Sequence, residues 1–403
     1  MRRPHRRDRK SEPAASAKKV FFHVGAPKTG TTYLQHVLLQ NKAALADSGV
    51  LYPYDYHGQS FRSMQDFRGA GWGGQPASSF RGEWQQVADR AVAWDGDTVI
   101  ISNELLGAAA PARVVAGVRS VQPADVHVVF SARDFARQLV SDWQEHIKHK
   151  HLVTLEKFVD DLIELGLDAP APFGELFWGL HDAAYVLRRW EQAVPATNIH
   201  IVTLPPPGAP ADTLWLRFCA VTGLDPNAYD SQTPNVNPSM GVAETELVRR
   251  MNASVQGMPA EYYDPLVRVF LAEEVLGGKS PGLTLPPGRL EWVTSRSHQL
   301  IDELRTAGYG VEGDLDELIP RPHDHASHVA PTELTEADLG PAAIRAATGL
   351  LQQAGRQRRR ISELRRELGA EPGPKRRRPG PADVARAGYW RSRRVAGRLL
   401  RRR

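Results

Sequence analysis

Cysteine is almost missing from this chain: Cys219 stands alone among 403 residues. That excludes an intrachain disulfide and any metal site built from several cysteines. No apolar run reaches about 18 residues, so no membrane-spanning helix is expected. The N-terminus is basic, but no apolar stretch follows it, so it is not expected to act as a secretion signal. A reducing cytoplasm is the expected location, at most peripheral to the inner face of a membrane. Internal repeats are lacking too.

What the chain has in excess is charge of one sign at its ends. Residues 1–19 carry 8 Lys/Arg against 2 Asp/Glu, and residues 355–403 carry 18 against 4. The two tails therefore hold a net +20 in a chain of net +5, which leaves the body at −15. The basic balance of the whole says little about any active site; it says that the tails suit an anionic partner or stay solvated.

Between the tails the pattern is that of an α/β protein with a parallel sheet flanked by helices. Short Val/Ile-rich runs predict strands at Lys19–Val24, Thr98–Ser102, Val126–Ser131 and Asn198–Leu204, of the kind buried on both faces. Helical spacing predicts helices from Thr31 to about Ser48, Asp134 to Lys150, Leu155–Leu165 and Ala183–Val194. Further helices are expected near Asp212–Val221, Gly241–Met251, Asp264–Val275 and Trp292–Ala307, with Asp264 as N-cap and Pro265 in the first turn. Gly58–Phe80, with five glycines, reads as a long loop over the active face, and that loop and the 165–185 segment are expected to shape an acceptor pocket. The expected organisation is a basic tail at 1–18, one domain at 19–320, a linker at 321–341 and a basic helical or disordered extension at 342–403.

One stretch carries most of the chemistry: Val20-Phe-Phe-His-Val-Gly-Ala-Pro-Lys-Thr-Gly-Thr-Thr-Tyr-Leu-Gln35. An apolar strand runs into a Gly/Pro/Lys/Thr turn that opens a helix near Thr31. Such a turn aims backbone amides and a helix N-terminus at one point, which suits a phosphate. Gly25 and Gly30 have the spacing of a nucleoside-triphosphatase loop, but Thr31 and Thr32 follow where Lys and Ser/Thr are needed. The lysine sits earlier, at Lys28. A second signal lies in Val126-His-Val-Val-Phe-Ser-Ala-Arg133, where a strand ends in an arginine with Ser141 eight residues on. Arg offers a fork of donors to phosphate oxygens, and a serine on the next helix adds a hydroxyl.

Pro-Lys-Thr-Gly-Thr-Thr after a strand, with Arg133 and Ser141 behind it, resembles the sulfotransferases that use 3′-phosphoadenosine 5′-phosphosulfate (PAPS). The resemblance covers roughly residues 19–320 and implies a P-loop-like fold. It implies that Lys28 meets the oxygen bridging phosphate and sulfate, and that Thr31, Thr32 and the amides of Thr29 and Gly30 hold the 5′-phosphate. It further implies that Arg133 and Ser141 hold the 3′-phosphate, with no metal required. Asp134 reads as a helix cap and not as a metal ligand. The Arg-Lys-Gly motif of the animal cytosolic members has no counterpart. Gly277-Gly-Lys-Ser280 is a faint echo with no assignment, and Asn235-Val-Asn-Pro-Ser-Met240 resembles a loop near the cofactor in bacterial relatives.

Transfer to an alcohol also needs a base. Glu104 lies just past the strand Thr98–Ser102, where parallel sheets line their crevices. His57 is the competing candidate, since histidine serves in the cytosolic members. The resemblance implies a hydroxyl of a glycan, glycolipid or small molecule as acceptor and leaves open which. A basic C-terminal helix at Asp383–Arg403, presenting Tyr389, Trp390 and Leu399, would suit an anionic membrane surface better than nucleic acid. The readings that compete with a sulfotransferase are a P-loop kinase or NTPase and an inactive membrane-surface binding protein.

Overall fold

Short runs of Val, Ile and Phe with both faces buried build the centre of the molecule, as an all-parallel sheet demands. The computed structural model describes residues 17–233, 239–278, 280–322 and 327–368. Its strands are Lys19–His23 (β1), Val50–Leu51 (β2), Thr98–Ser102 (β3), Asp125–Ala132 (β4), Ile199–Thr203 (β5) and Gly310–Glu312 (β6). All neighbours pair in parallel, in the order β2-β3-β1-β4-β5-β6. The fold is thus α/β with a six-stranded parallel sheet flanked by helices.

Helices supply the crossovers that parallel strands require. Thr31–Gln40 (α1) and Lys42–Asp47 (α2) join β1 to β2, and His57–Arg68 (α3) and Glu83–Ala93 (α4) join β2 to β3. Pro111–Ser120 (α5) returns the chain to β4. Phe135–Lys148 (α6), Leu155–Leu165 (α7), Phe173–His181 (α8) and Ala183–Trp190 (α9) lead to β5. Thr213–Thr222 (α10), Val242–Ser254 (α11), Ala260–Tyr263 (α12) and Leu290–Ala307 (α13) precede β6. Trp190 of α9 locks the core by packing on Phe22 of β1 and Phe67 of α3, at 5.3 and 6.3 Å between ring centroids.

Several expectations need correction. The first crossover is two helices, because the Asn41 side chain donates to the carbonyls of Val37 and Asp230 and ends α1 there. Gly58–Phe80 is not one long loop: α3 takes its first half, through Arg68, and a short 3-10 turn its end at Ala77–Phe80. Its buried face holds Ser60, Ser63 and Gln65 beside Met64 and Phe67, so polar residues sit where a hydrophobic stripe would have announced a helix. Asp264 does not start a helix. It has helical dihedrals and continues from α12, which begins after Pro259 and runs on through Asp264–Val275 with the wider i→i+5 winding. Part of the 165–185 segment is α8, which buries Phe173, Phe177 and Trp178.

By contact, the described residues up to Ala346 form one compact unit and those from Ala347 a second. The long helix Glu336–Glu367 (α14) runs across that boundary, starting earlier than the expected Ala342. The proposed basic helix Asp383–Arg403 and the tail at 1–16 lie outside the described residues. No helix among the described residues is long and apolar enough to cross a membrane.

Candidate functional site

In this strand order the chain leaves β1 toward β2 and leaves β4 toward β5, in opposite directions from adjacent strands. Such a switch point opens a crevice at the C-terminal ends of the strands, and ligands of open α/β sheets bind there. Lys28 follows β1, Glu104 follows β3 and Arg133 follows β4, so the three loops converge on that edge. One buried imidazole ties their roots together. His23 at the end of β1 bonds Ser102 of β3 at 2.8 Å and Ser131 of β4 at 3.0 Å. Burial lowers its pKa to about 4, so it holds the three strand ends as a neutral bridge.

The loop after β1 has the form of an anion cradle. Gly30 is the N-cap of α1 at φ 82°, and no side chain caps the helix. The first amides of α1 therefore lack the partner a capping residue would supply. A side chain at Gly30 would be strained at that φ and would come within 2.4 Å of Leu214. Lys28 itself stands at φ 62°, an uncommon conformation for a non-glycine residue and one that clusters at functional sites. The Thr29 hydroxyl turns inward to the Ala26 carbonyl at 2.7 Å, which leaves that residue its amide for a ligand. Thr31 is buried and Thr32 exposed.

Lys28 does not project freely. Its ammonium bonds Glu145 of α6 at 2.5 Å. Burial would lower the lysine pKa, but Glu145, with Asp142 and Glu104 farther off, raises it on balance. Burial pulls Glu145 up, yet Lys28, His149 and Lys148 outweigh it and hold its carboxyl well below the usual range. Lys148 and His149 each lie 3.4 Å from it.

Arg133 and Ser141 are brought together as their spacing suggested. The Arg133 guanidinium donates to the Lys28 carbonyl at 2.9 Å and to the Ser141 hydroxyl at 3.3 Å. Its Nε is buried with no hydrogen-bond partner, and burial next to Arg137 lowers its pKa to about 10. Asp134 caps α6, accepting from the Arg137 amide at 2.9 Å. A cavity of about 570 Å³ opens beside Arg133, Ser141 and Gln144 and is also lined by Ser239, Gly278 and Ser280. The described ends of Asn235–Met240, read by resemblance as a loop near the cofactor, and of Gly277–Ser280, left without an assignment, border it, while Asn235 and Lys279 lie outside the described residues.

Of the two base candidates, Glu104 stands with Lys28. Its carboxylate accepts from Gln35 of α1 at 3.0 Å and contributes to the field that raises the lysine. Asn103 shapes the turn by accepting from the Leu105 amide and donating to Ser60 of α3. His57, at the start of α3, packs on His36, with 4.1 Å between ring centroids, and burial and that neighbour lower its pKa. Among the described residues no bond or ring contact joins His57 to Lys28 or Glu104. Nor is any group of three His, Cys, Asp or Glu arranged to hold a metal.

Sequence reading missed Glu145, Lys148 and His149 as parts of the site. The signal was present: with Ser141 they recur at i, i+4, i+7 and i+8 and share one face of α6. The comparisons with known proteins are sparse. No protein-family model and no curated protein matches the chain. A solved structure of a sulfotransferase from Alicyclobacillus acidocaldarius is similar at a TM-score of 0.38 and 14% identity, over 59% of this chain and 94% of that one.

Proposed function

We propose that this chain is a sulfotransferase that moves a sulfuryl group from PAPS to a hydroxyl of a glycan, glycolipid or small molecule. The observation that carries the reading is Arg133. A buried guanidinium, bonded to Ser141 and to the backbone of the Lys28 loop, keeps an unpartnered Nε beside a cavity at the switch point. An unmet buried donor is costly, at roughly 1–3 kcal/mol, and a phosphate oxygen satisfies it. The uncapped N-terminus of α1 makes a second demand of the same sign.

The donor supplies a sulfur–oxygen bond that breaks as the acceptor oxygen attacks the sulfur in line, leaving the 3′,5′-bisphosphate. Each remaining task falls to a residue of this chain. Arg133 and Ser141 hold the 3′-phosphate. The amides of Thr29 to Thr32 and the α1 dipole hold the 5′-phosphate. Lys28 neutralises the charge that develops on the departing oxygen. Glu104 takes the acceptor proton, oriented by Gln35.

Calorimetry tests the reading. The full chain should bind 3′-phosphoadenosine 5′-phosphate without a metal, and Arg133→Ala should weaken that binding roughly 10- to 100-fold. Preference for magnesium-ATP, or indifference to the 3′-phosphate, would overturn it in favour of a kinase.

A further inference from the structure

A second cavity, of about 250 Å³, lies at the other end of α6, between Trp72, His149 and Asp264. Trp72 stands on a purpose-shaped turn. Its amide and carbonyl exchange bonds with Gln75 at 3.0 and 2.9 Å across Gly73 and Gly74, at φ 58° and 80°. Two left-handed residues in a two-residue turn call for glycine. Gly71 is needed for space, since a Cβ there would meet the Gln75 carbonyl at 2.4 Å. Phe61 supports the indole edge-on at 5.5 Å, and the His149 ring meets it edge-on at 5.7 Å. With both contacts made, the indole is still 43% exposed.

The other walls mix Ala260 and Tyr263 with the polar groups of Asp264, Lys150 and His149. Asp264 is part-exposed, with its nearest cation, Arg268, 3.8 Å away. Lys150 is already committed to the carbonyls of Gln256 and Met258 at 2.7 and 2.6 Å, so its charge fixes the wall and does not seek an anion. His149 reaches Glu145 at 3.4 Å, and Glu145 holds Lys28. The cavity wall is therefore one carboxylate away from Lys28. Along α6, Ser141 at the first cavity and His149 at the second are separated by about 12 Å of helix rise.

We infer that this cavity is the acceptor subsite and that it takes a neutral sugar ring, stacked on Trp72 with its hydroxyls toward Asp264 and His149. The inference rests on the sulfotransferase reading for the word acceptor, not for the binding. A flat apolar face beside hydrogen-bonding groups matches a pyranose, which has one C–H face and a rim of hydroxyls. A steroid, with no rim of hydroxyls, would leave the Asp264 carboxylate and the His149 imidazole without partners. The volume lies below the ~300–1,000 Å³ of drug-sized sites and admits a single ring.

Saturation-transfer NMR on the full chain tests this. The probes are the methyl glycosides of glucose, galactose and mannose, with cyclohexanol and 4-nitrophenol as non-sugar probes. Each is measured with and without 3′-phosphoadenosine 5′-phosphate. Transfer to the C–H protons of at least one glycoside is expected. Trp72→Ala should reduce the affinity about tenfold, Trp72→Phe by less, and Asp264→Asn should weaken it independently. Arg133→Ala should leave sugar binding unchanged while weakening that of the nucleotide roughly 10- to 100-fold. Failure of every glycoside to bind, binding indifferent to both Trp72 and Asp264, or preference for 4-nitrophenol would overturn the inference. Sugar binding that follows Trp72 without any nucleotide binding would uphold the subsite and remove the sulfotransferase reading.

Discussion

The two edges of the sheet each carry a tight cluster of titratable groups, and they differ in what they leave unfinished. At the N-terminal edge His127 bonds His200 at 3.1 Å and Asp125 at 3.1 Å, and Asn198 donates to Asp125 at 2.8 Å. Each group finds its partner inside the cluster. At the C-terminal edge Arg133 keeps an unpartnered Nε, α1 is uncapped, Lys28 stands at φ 62° and a cavity opens alongside. Histidines, carboxylates and short contacts occur at both edges. Of the two clusters, unmet demand occurs at one, and it is there that a binding site is proposed.

The largest expected effect breaks the C-terminal edge. Glu104→Gln should lower kcat by roughly 10²–10⁴, the usual worth of a positioned base, with nucleotide affinity little changed. His57→Gln should cost less than about tenfold, and Asp125→Asn at the other edge should leave turnover within about twofold. Steady-state transfer assays decide. If His57→Gln is the more damaging change, the base belongs on α3.

A smaller effect sharpens the comparison. Glu145→Gln removes the carboxylate that occupies Lys28 and should tighten binding of 3′-phosphoadenosine 5′-phosphosulfate several-fold, within about 1 kcal/mol. Weaker binding in a titration would mean that Glu145 positions the lysine and does not compete for it.

The smallest effect concerns stability. Burial, with help from His127, lowers His200 to about 4. Between about pH 6.5 and 4 the unfolded chain then takes up the proton that the folded chain refuses, so stability falls as pH drops through that window. His23 and His151, also near 4, act in the same direction. His200→Gln should make the fall in Tm from about pH 7 to about pH 4.5 shallower without touching nucleotide affinity. An unchanged slope would show that the other buried histidines set it.

How much of this was legible in the sequence follows from the range of each interaction. Thr98–Ser102 and Leu155–Leu165 were read to the residue, since a compact apolar run and an amphipathic period are local signals. β2 and β6, of two and three residues, have no apolar run to show and exist only by pairing with β3 and β5. α3 hid because Ser60, Ser63 and Gln65 face inward. In the site, Lys28, Arg133 and Ser141 stood out through their spacing. The hold of Glu145 on Lys28 spans 117 residues, and only folding brings the two together.

That contact has a kinetic and ionic side. Because Lys28 already carries an internal counter-ion, an incoming anion does not fall onto bare charge; it exchanges with one. The Lys28–Glu145 pair is neutral before the anion arrives, so the lysine adds little net attraction and little to the salt dependence of binding. Long-range attraction at this edge then comes from Arg133 and the α1 amides. On the sulfotransferase reading, the donor would be steered in by its 3′-phosphate end and its sulfuryl end would dock last.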